Sequence, residues 1–196
     1  MTAVRTVCVY AGSQAGSRPA YAEHAARFAR RLAAEGVGVV YGGGKAGLMG
    51  VVADAALAEG GRVTGIIPEQ LQARELAHQG LTDLRVVRSM HERKALMAEL
   101  SDAFVAVPGG IGTLEELVEV FTWAQLGMHA KPVALLDVDG NYAGLVAFFD
   151  HAVDEGFLRP ATRSMLLVEG DPEALLDRLR AHEPPEVERW IEPGAA

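Results

Sequence analysis

The chain contains one cysteine, Cys8, among its 196 residues, so no second thiol is present for an internal disulfide. Cys8 lies in an apolar, strand-like segment, where we expect a buried and unreactive thiol. The fold is therefore expected to depend on a packed core, and this length is sufficient for one domain with a sizeable core.

Positive charge is also scarce. The sequence has 18 Lys and Arg residues against 26 Asp and Glu residues, which gives a formal net charge of −8 at pH 7. An acidic protein repels the phosphate backbone of nucleic acids and anionic lipid headgroups. We therefore expect neither a nucleic-acid partner nor membrane binding as its main role.

Long apolar runs are missing, so we expect no transmembrane helix. The first residues, Met1 to Thr6, lead directly into a strand-like segment and lack the pattern of a signal peptide. These features predict a cytoplasmic enzyme or binding protein.

Lysine occurs only at Lys45, Lys94 and Lys131. A pyridoxal-phosphate enzyme needs a lysine for its Schiff base, and each of these three fits a turn or an anion contact better. The histidines show no metal-ligand spacing, and no Gly-x-Ser-x-Gly nucleophile motif is present. We expect no metal and no organic cofactor.

Strand-like and helix-like segments alternate along the whole sequence. Apolar segments such as 103–107 are typical of strands that are buried on both faces. The pattern predicts an α/β fold, a single-domain Rossmann-like doubly wound parallel sheet with helices on both faces, over residues 1–182, followed by a tail at 183–196. Glycine-bearing loops at Gly12, Gly42 and Gly109 follow strands and should open on one edge of the sheet, where ligands bind.

The most informative motif is Pro108-Gly109-Gly110-Ile111-Gly112-Thr113-Leu114-Glu115-Glu116. It joins a buried strand to a helix, so its backbone amides lie at a helix N-terminus that favours a phosphate. Glycine allows the backbone to approach the anion closely. A carboxylate one turn into the helix, Glu115 or Glu116, would then stand beside the phosphate, and this suggests chemistry on a phosphorylated small molecule.

The two glutamates have a simpler explanation, because acidic residues early in a helix also stabilise its dipole. Successive helical residues point about 100° apart, so only one of them can face the cleft. Periodicity does not decide between them. It predicts a buried helix face of Leu114, Leu117, Val118 and Phe121.

A second glycine loop, residues 42–50, matches neither the dinucleotide fingerprint nor a Walker loop. Close packing at a tight turn and a share in nucleotide binding are both open as explanations of this loop.

In the segment 89–97, Ser89 is a candidate N-cap, and Arg93 and Lys94 place two cations near a helix N-terminus. Either they meet an anionic ligand or they form a solvated basic face with salt bridges to Glu92 or Glu99.

These three segments in this order resemble the Lonely Guy family, the cytokinin riboside 5′-monophosphate phosphoribohydrolases, many of which were once labelled lysine decarboxylases. The resemblance runs from about Val4 to Leu158. It implies hydrolysis of the N-glycosidic bond of N6-modified adenosine 5′-monophosphates, and of AMP, to free base and ribose 5-phosphate.

The resemblance also implies roles for particular residues. Arg93 and Glu116 are expected to be catalytic, and no metal or organic cofactor is implied. The expected substrate contacts are Glu75, Lys94, Gly109, Gly110, Ile111, Gly112, Thr113, Leu114, Glu115 and Thr122.

The family resemblance further implies a homodimer with the site near the interface. Met97, Trp123 and Leu126 could form such a face, although core packing explains them equally well.

Two other functions compete with the hydrolase. One is a non-catalytic nucleotide or molybdenum-cofactor carrier, which would not need a carboxylate beside the phosphate. The other is a lysine decarboxylase, which would carry a pyridoxal-phosphate absorbance band.

Overall fold

The computed structural model describes residues 4–72 and 77–185. Seven strands form one sheet in the order β4-β3-β2-β1-β5-β6-β7, and all neighbouring strands are parallel. The strands are β1 (Thr6–Tyr10), β2 (Gly38–Tyr41), β3 (Val63–Pro68), β4 (Asp83–Val87), β5 (Ala103–Ala106), β6 (Val133–Leu136) and β7 (Leu166–Glu169). The order reverses at β1, which pairs with β2 on one side and β5 on the other. A crevice forms at such a reversal.

The helices cover both faces of this sheet. They are α1 (Pro19–Ala34), α2 (Gly47–Ala58), α3 (Glu69–Gln72), α4 (Met90–Glu99), α5 (Ile111–Gln125), α6 (Ala143–Asp154), α7 (Pro160–Ser164) and α8 (Pro172–Arg180). In α1, Pro19 occupies the first turn, and Phe28 and Leu32 are buried one turn apart. Asp171 caps α8 by accepting a hydrogen bond from the Glu173 amide.

Two hydrophobic cores lie on opposite faces of the sheet because successive strand residues point in opposite directions. Val7 and Val9 of β1 face a core formed with α1, α2 and α8. Cys8 and Tyr10 face a second core formed with α4 and α5, against which α6 packs. The predicted α/β fold with helices on both faces is therefore confirmed.

Some details differ from the sequence prediction. Val118 is exposed, because the buried stripe of α5 runs instead through Thr113, Leu117, Val120, Phe121 and Ala124. Helix α7 was not predicted. Met97, a candidate for a dimer face, is fully buried in the core of its own chain, so core packing explains it.

Cys8 is fully buried, as predicted, and burial raises the pKa of its thiol. No helix within the described ranges is long and apolar enough to cross a bilayer. The predicted tail at 183–196 lies outside the described residues from position 186 onward.

Candidate active site

A cleft of about 270 Å³ lies at the carboxyl edge of the sheet, beside the reversal at β1. Its walls come from separate βα units: the loop after β1, the beginning of α4 and the beginning of α5. They are lined by Ala11, Gly12, Ser13, Met49, Leu71, Met90, Arg93, Gly110, Ile111, Gly112, Thr113, Glu115 and Glu116. The loops at Gly12 and Gly110 therefore open on one edge, as the sequence predicted.

The N-terminus of α5 faces this cleft. Gly110 is its N-cap residue, and no side chain within the described residues caps it by a hydrogen bond. Ile111 is 87% exposed, so the first turn is open to solvent. Gly109 is packed so closely against the Thr113 side chain that a Cβ at position 109 would overlap it. The motif thus offers backbone amides and helix-dipole charge to an anion.

The second glycine loop packs tightly against the first one. The amides of Leu48 and Met49, at the start of α2, donate to the Gly12 carbonyl at 2.9 and 3.3 Å. Gly47 adopts φ +58°, and a Cβ there would overlap the backbone of Ser13. Because the Gly12 carbonyl already occupies these helix-terminal amides, the geometry favours the packing interpretation of this loop over phosphate binding.

Arg93 is buried, with only 5% of its surface exposed. Its Nε donates to the Ile66 carbonyl at 3.0 Å, and its Nη2 donates to the Gly42 carbonyl at 2.9 Å. Its Nη1 lies 3.8 Å from the Glu116 Oε1. The interpretation of Arg93 as part of a solvated basic face is therefore wrong, because backbone carbonyls of β3 and of the Gly42 loop hold the guanidinium at the cleft.

Lys94 points away from Arg93 and meets two carboxylates of α5. Its Nζ donates to Glu115 Oε1 at 2.6 Å and to Glu119 Oε1 at 2.9 Å. Burial alone would lower the pKa of this ammonium, but its hydrogen bonds to Glu115 and Glu119 raise the pKa overall. Its partners are thus not Glu92 or Glu99, as the interpretation of a solvated basic face predicted. Lys94 is also not among the residues that line the cleft.

The two glutamates of the motif occupy different environments. Glu115 is half exposed and pairs with Lys94, whereas the Glu116 side chain is 12% exposed and faces Arg93. Both touch the cleft, but only Glu116 is largely buried and beside the guanidinium. The geometry thus favours Glu116 as the functional carboxylate.

The remaining predicted contacts are distributed around this site. Gly109 lines a neighbouring cavity of about 230 Å³, which shares Gly12, Ser13 and Gly110 with the cleft. Leu114 packs on the core, and the Thr122 hydroxyl donates to the Val118 carbonyl within α5. Neither of these two lines the cleft, and Glu75 lies outside the described residues.

Sequence reasoning missed one wall of the cleft. Met49, Leu71 and Met90 come from three separate helices and form its apolar side. Their spacing in the sequence carries no common period. Such a wall suits a flat or aliphatic group next to the anion site.

Another cavity has a different lining. A cavity of about 320 Å³ lies at the opposite edge, where Val4, Asp102 and Pro132 precede β1, β5 and β6, and it holds none of the predicted site residues. Among the described residues, no group of three or more His, Cys, Asp or Glu side chains could hold a metal ion.

Comparison with known proteins shows which family the chain belongs to. The family model described as "Possible lysine decarboxylase" matches residues 49–179. A "Probable cytokinin riboside 5′-monophosphate phosphoribohydrolase" of Oryza sativa subsp. japonica is 51% identical over 180 residues, which cover 92% of this chain and 79% of that protein. The chain belongs to the Lonely Guy family. Another relative, a cytokinin riboside 5′-monophosphate phosphoribohydrolase of Arabidopsis thaliana, is 46% identical and covers 92% of this chain and 83% of its own length.

Solved structures outside the Lonely Guy family share the fold. A molybdenum cofactor carrier protein from Chlamydomonas reinhardtii superposes with a TM-score of 0.69 at 22% identity and covers 92% of this chain and 100% of its own. A molybdenum cofactor binding protein from Rippkaea orientalis gives 0.68 at 20% identity over 92% and 98%. At these identities the likeness establishes the architecture alone.

Proposed function

We propose that this chain hydrolyses the N-glycosidic bond of a cytokinin riboside 5′-monophosphate and releases the free base and ribose 5-phosphate. The observation that carries the proposal is the pairing of a largely buried carboxylate, Glu116, with a buried guanidinium, Arg93, beside an open helix N-terminus. The family relatives named for this reaction supply the substrate class.

The amides at the start of α5 would hold the 5′-phosphate. Gly110, Ile111 and Gly112 are exposed at this N-terminus, and Thr113 is buried beneath them. An anchored phosphate fixes the ribose relative to Glu116 and contributes binding energy at a distance from the reacting carbon. Gly109, Leu114, Glu115, Lys94 and Thr122 would support this end of the site.

Glu116 would act on the sugar. Cleavage of the bond between C1′ and the base nitrogen takes the bonding electrons to the base and leaves oxocarbenium character on the ribose. A carboxylate beside C1′ stabilises that charge and accepts a proton from the water that attacks C1′. The leaving base takes up a proton, so that water is divided between the two products.

Arg93 would complete the electrostatic arrangement. Two backbone carbonyls fix its guanidinium, so little reorganisation is needed when the substrate binds. From this position it would contact the ribose or phosphate, or assist departure of the base. The apolar wall of Met49, Leu71 and Met90 would receive the base and its N6 substituent.

A product assay tests the reaction. Purified protein receives AMP and N6-isopentenyl-AMP separately, and the free base is resolved by chromatography. We expect free base from both nucleotides. The ratio of the two rates shows whether the cleft prefers a substrate with an N6 substituent. Tight nucleotide binding with no base released from either one would instead support a non-catalytic carrier. A pyridoxal-phosphate absorbance band on the protein would favour a decarboxylase.

We further propose that the chain forms a homodimer through the outer face of α6. That helix is largely apolar but has no fully buried residue. Phe148 is 62% exposed and Phe157 is 86% exposed, and the Phe157 amide donates to the Ala152 carbonyl one turn beyond Phe148. Exposed aromatic side chains on a helix and just after its C-terminus are typical of an interface, and a second copy would cover them.

Light scattering coupled to size-exclusion chromatography tests the dimer. The wild type should elute with twice the chain mass, and Phe148→Asp should shift it to the monomer. A monomeric wild type at all concentrations would exclude this assembly. We also propose a cytoplasmic location, which cell fractionation would check.

A further inference from the structure

His78 is buried beside the second glycine loop, 4% exposed, and both of its ring nitrogens have partners. Its Nδ1 accepts a hydrogen bond from the Gly80 amide at 3.0 Å. Because a backbone amide can only donate, Nδ1 carries no proton and Nε2 carries one. Nε2 lies 2.8 Å from Oδ1 of Asp54 on α2, so the imidazole donates to that carboxylate.

The backbone at His78 is bonded to the glycine loop. The His78 amide donates to the Gly43 carbonyl at 3.0 Å, and Ala77 forms an antiparallel bridge with Gly44. On its other side, Gly43 adopts φ +77° and lies against the backbone of Ile66 in β3. The loop is thus fixed between β3 and the segment 77–78, which the imidazole ties to α2.

The same loop holds the guanidinium of the candidate active site. Gly42 directly precedes Gly43, and its carbonyl accepts the 2.9 Å bond from Arg93 Nη2. A continuous set of hydrogen bonds therefore runs from Asp54 through His78 and the Gly42–Gly44 backbone to Arg93. Neither Asp54 nor His78 lines the cleft, so neither would touch the substrate.

We infer that His78 and Asp54 form a positioning pair that sets the orientation of Arg93 through the Gly42–Gly44 loop. This inference rests on the proposed function for its kinetic consequence. Its structural part, that the guanidinium of Arg93 is held in one orientation, does not depend on the reaction. Displacing a guanidinium by a fraction of an ångström in a preorganised site is sufficient to reduce turnover strongly.

Two substitutions remove the contact without deleting a large side chain. In His78→Asn, the amide oxygen can still accept from Gly80, but the contact with Asp54 is lost. Asp54→Ala removes the acceptor, whereas Asp54→Asn retains an oxygen at that position. Asp83→Ala is the matched control, because Asp83 also accepts a 2.8 Å bond, from Arg85 Nε, at an exposed site on β4 away from the cleft.

The kinetic test measures kcat/KM for base release in two backgrounds. In the wild type, His78→Asn and Asp54→Ala should each lower kcat/KM by about 10- to 100-fold, and Asp54→Asn should restore most of it. In an Arg93→Lys background the same two changes should have less than about a twofold effect, because the oriented group is gone. Equal losses in both backgrounds would overturn the inference, and Asp83→Ala should change neither.

A second readout does not depend on the reaction. The Nε–H group of Arg93 is buried and bonded to Ile66, so it should give a slowly exchanging signal in a ¹H–¹⁵N spectrum, assigned by its loss in Arg93→Lys. His78→Asn should shift this signal and speed its exchange, whereas Asp83→Ala should not. An unchanged signal would overturn the inference. If the wild type releases no base but the signal responds, the proposed function fails and the positioning role stands.

Discussion

Nη1 of Arg93 lies 3.8 Å from Oε1 of Glu116, although the two residues belong to different helices and follow different strands. Helix α4 supplies the cation and α5 the carboxylate, and both helices start at the carboxyl edge of the sheet. The pair places opposite charges next to an open helix N-terminus.

Replacement of Glu116 by Gln keeps the size of the side chain and removes its charge. We expect kcat to fall by about 10²- to 10⁴-fold, the usual contribution of a positioned acid or base, while nucleotide affinity changes little. Steady-state kinetics and calorimetric binding measure the two quantities. Glu115→Gln, at a half-exposed site paired with Lys94, should reduce kcat far less, and equal losses would show that the assignment of roles is wrong.

Gly42→Ala should displace the guanidinium of Arg93. A Cβ at this position would overlap Arg93 Nη2 and come within 3.3 Å of the Met49 sulfur. We expect kcat/KM to fall at least about tenfold. Gly38→Ala, on the strand that leads to Gly42, is the control, because its Cβ would meet only ordinary contacts of 3.7 Å or more. Comparable activity in the two variants would contradict the prediction.

Gly112→Ala separates stability from function. Apart from its chain neighbours and the backbone of its own helix, no atom of the described residues lies within 4 Å of an added Cβ, and the residue is inside the first turn of α5. Alanine should stabilise the fold by about 0.5–1 kcal/mol, since it is the better helix former. The same methyl group would stand where the phosphate is proposed to approach. Denaturant unfolding should therefore show a gain while KM rises, and an unchanged KM would argue against phosphate binding at this turn.

His129 makes stability depend on pH. Burial lowers the pKa of this imidazole to about 4, against a hydrogen bond to the Val120 carbonyl that acts in the opposite direction. Above pH 6.5 the ring is neutral in the folded and unfolded states. As the pH falls from 6.5 towards 4, the unfolded chain takes up the proton first, so stability is lost.

That loss should be about 1.4 kcal/mol for each pH unit below 6.5. His129→Gln should reduce the difference in the free energy of unfolding between pH 7 and pH 5, as measured in urea. His182 contributes in the same direction, because burial also lowers its pKa, so part of the difference should remain. A variant with the same pH dependence as the wild type would exclude His129 as a cause.

Much of this fold was predictable because its signals are local. Buried parallel strands read as apolar runs, and Gly109 and Gly110 mark the turn into α5. The carboxyl ends of such strands meet at one edge, so the cleft could be placed before its geometry was known. The caps of α8 and α4 are also local, and Ser89 accepts from the Glu92 amide as expected.

The environment of Arg93 could not be predicted in the same way. Its partners at Ile66 and Gly42 are backbone carbonyls, which every residue type carries and which leave no trace in the sequence. Whether a cation in the first turn of a helix is solvated or buried depends on the neighbouring strand. The pairing of His78 with Asp54 likewise joins residues 24 positions apart on different elements.

Val118 shows a different limit of periodicity. Val and Leu count equally in an apolar pattern, so residues 114, 117, 118 and 121 seemed to form one face. The side chains of Leu117 and Val118 point about 100° apart, and the sheet contacts only one side of α5. The core lies on the Leu117 side, and Val118 faces solvent.

The reversal of strand order at β1 has a consequence for the lifetime of the protein in a cell. Walls of the cleft come from the loop at Gly12 and the turn at Gly110, and β1 is joined to β5 by contacts such as that of Asp102 with the Thr6 amide, 96 positions apart. Neither the part of the sheet on the β2 side of β1 nor the part on the β5 side contains the whole cleft. A nucleotide that binds only the assembled cleft therefore opposes global unfolding, so that substrate supply also sets resistance to proteolysis.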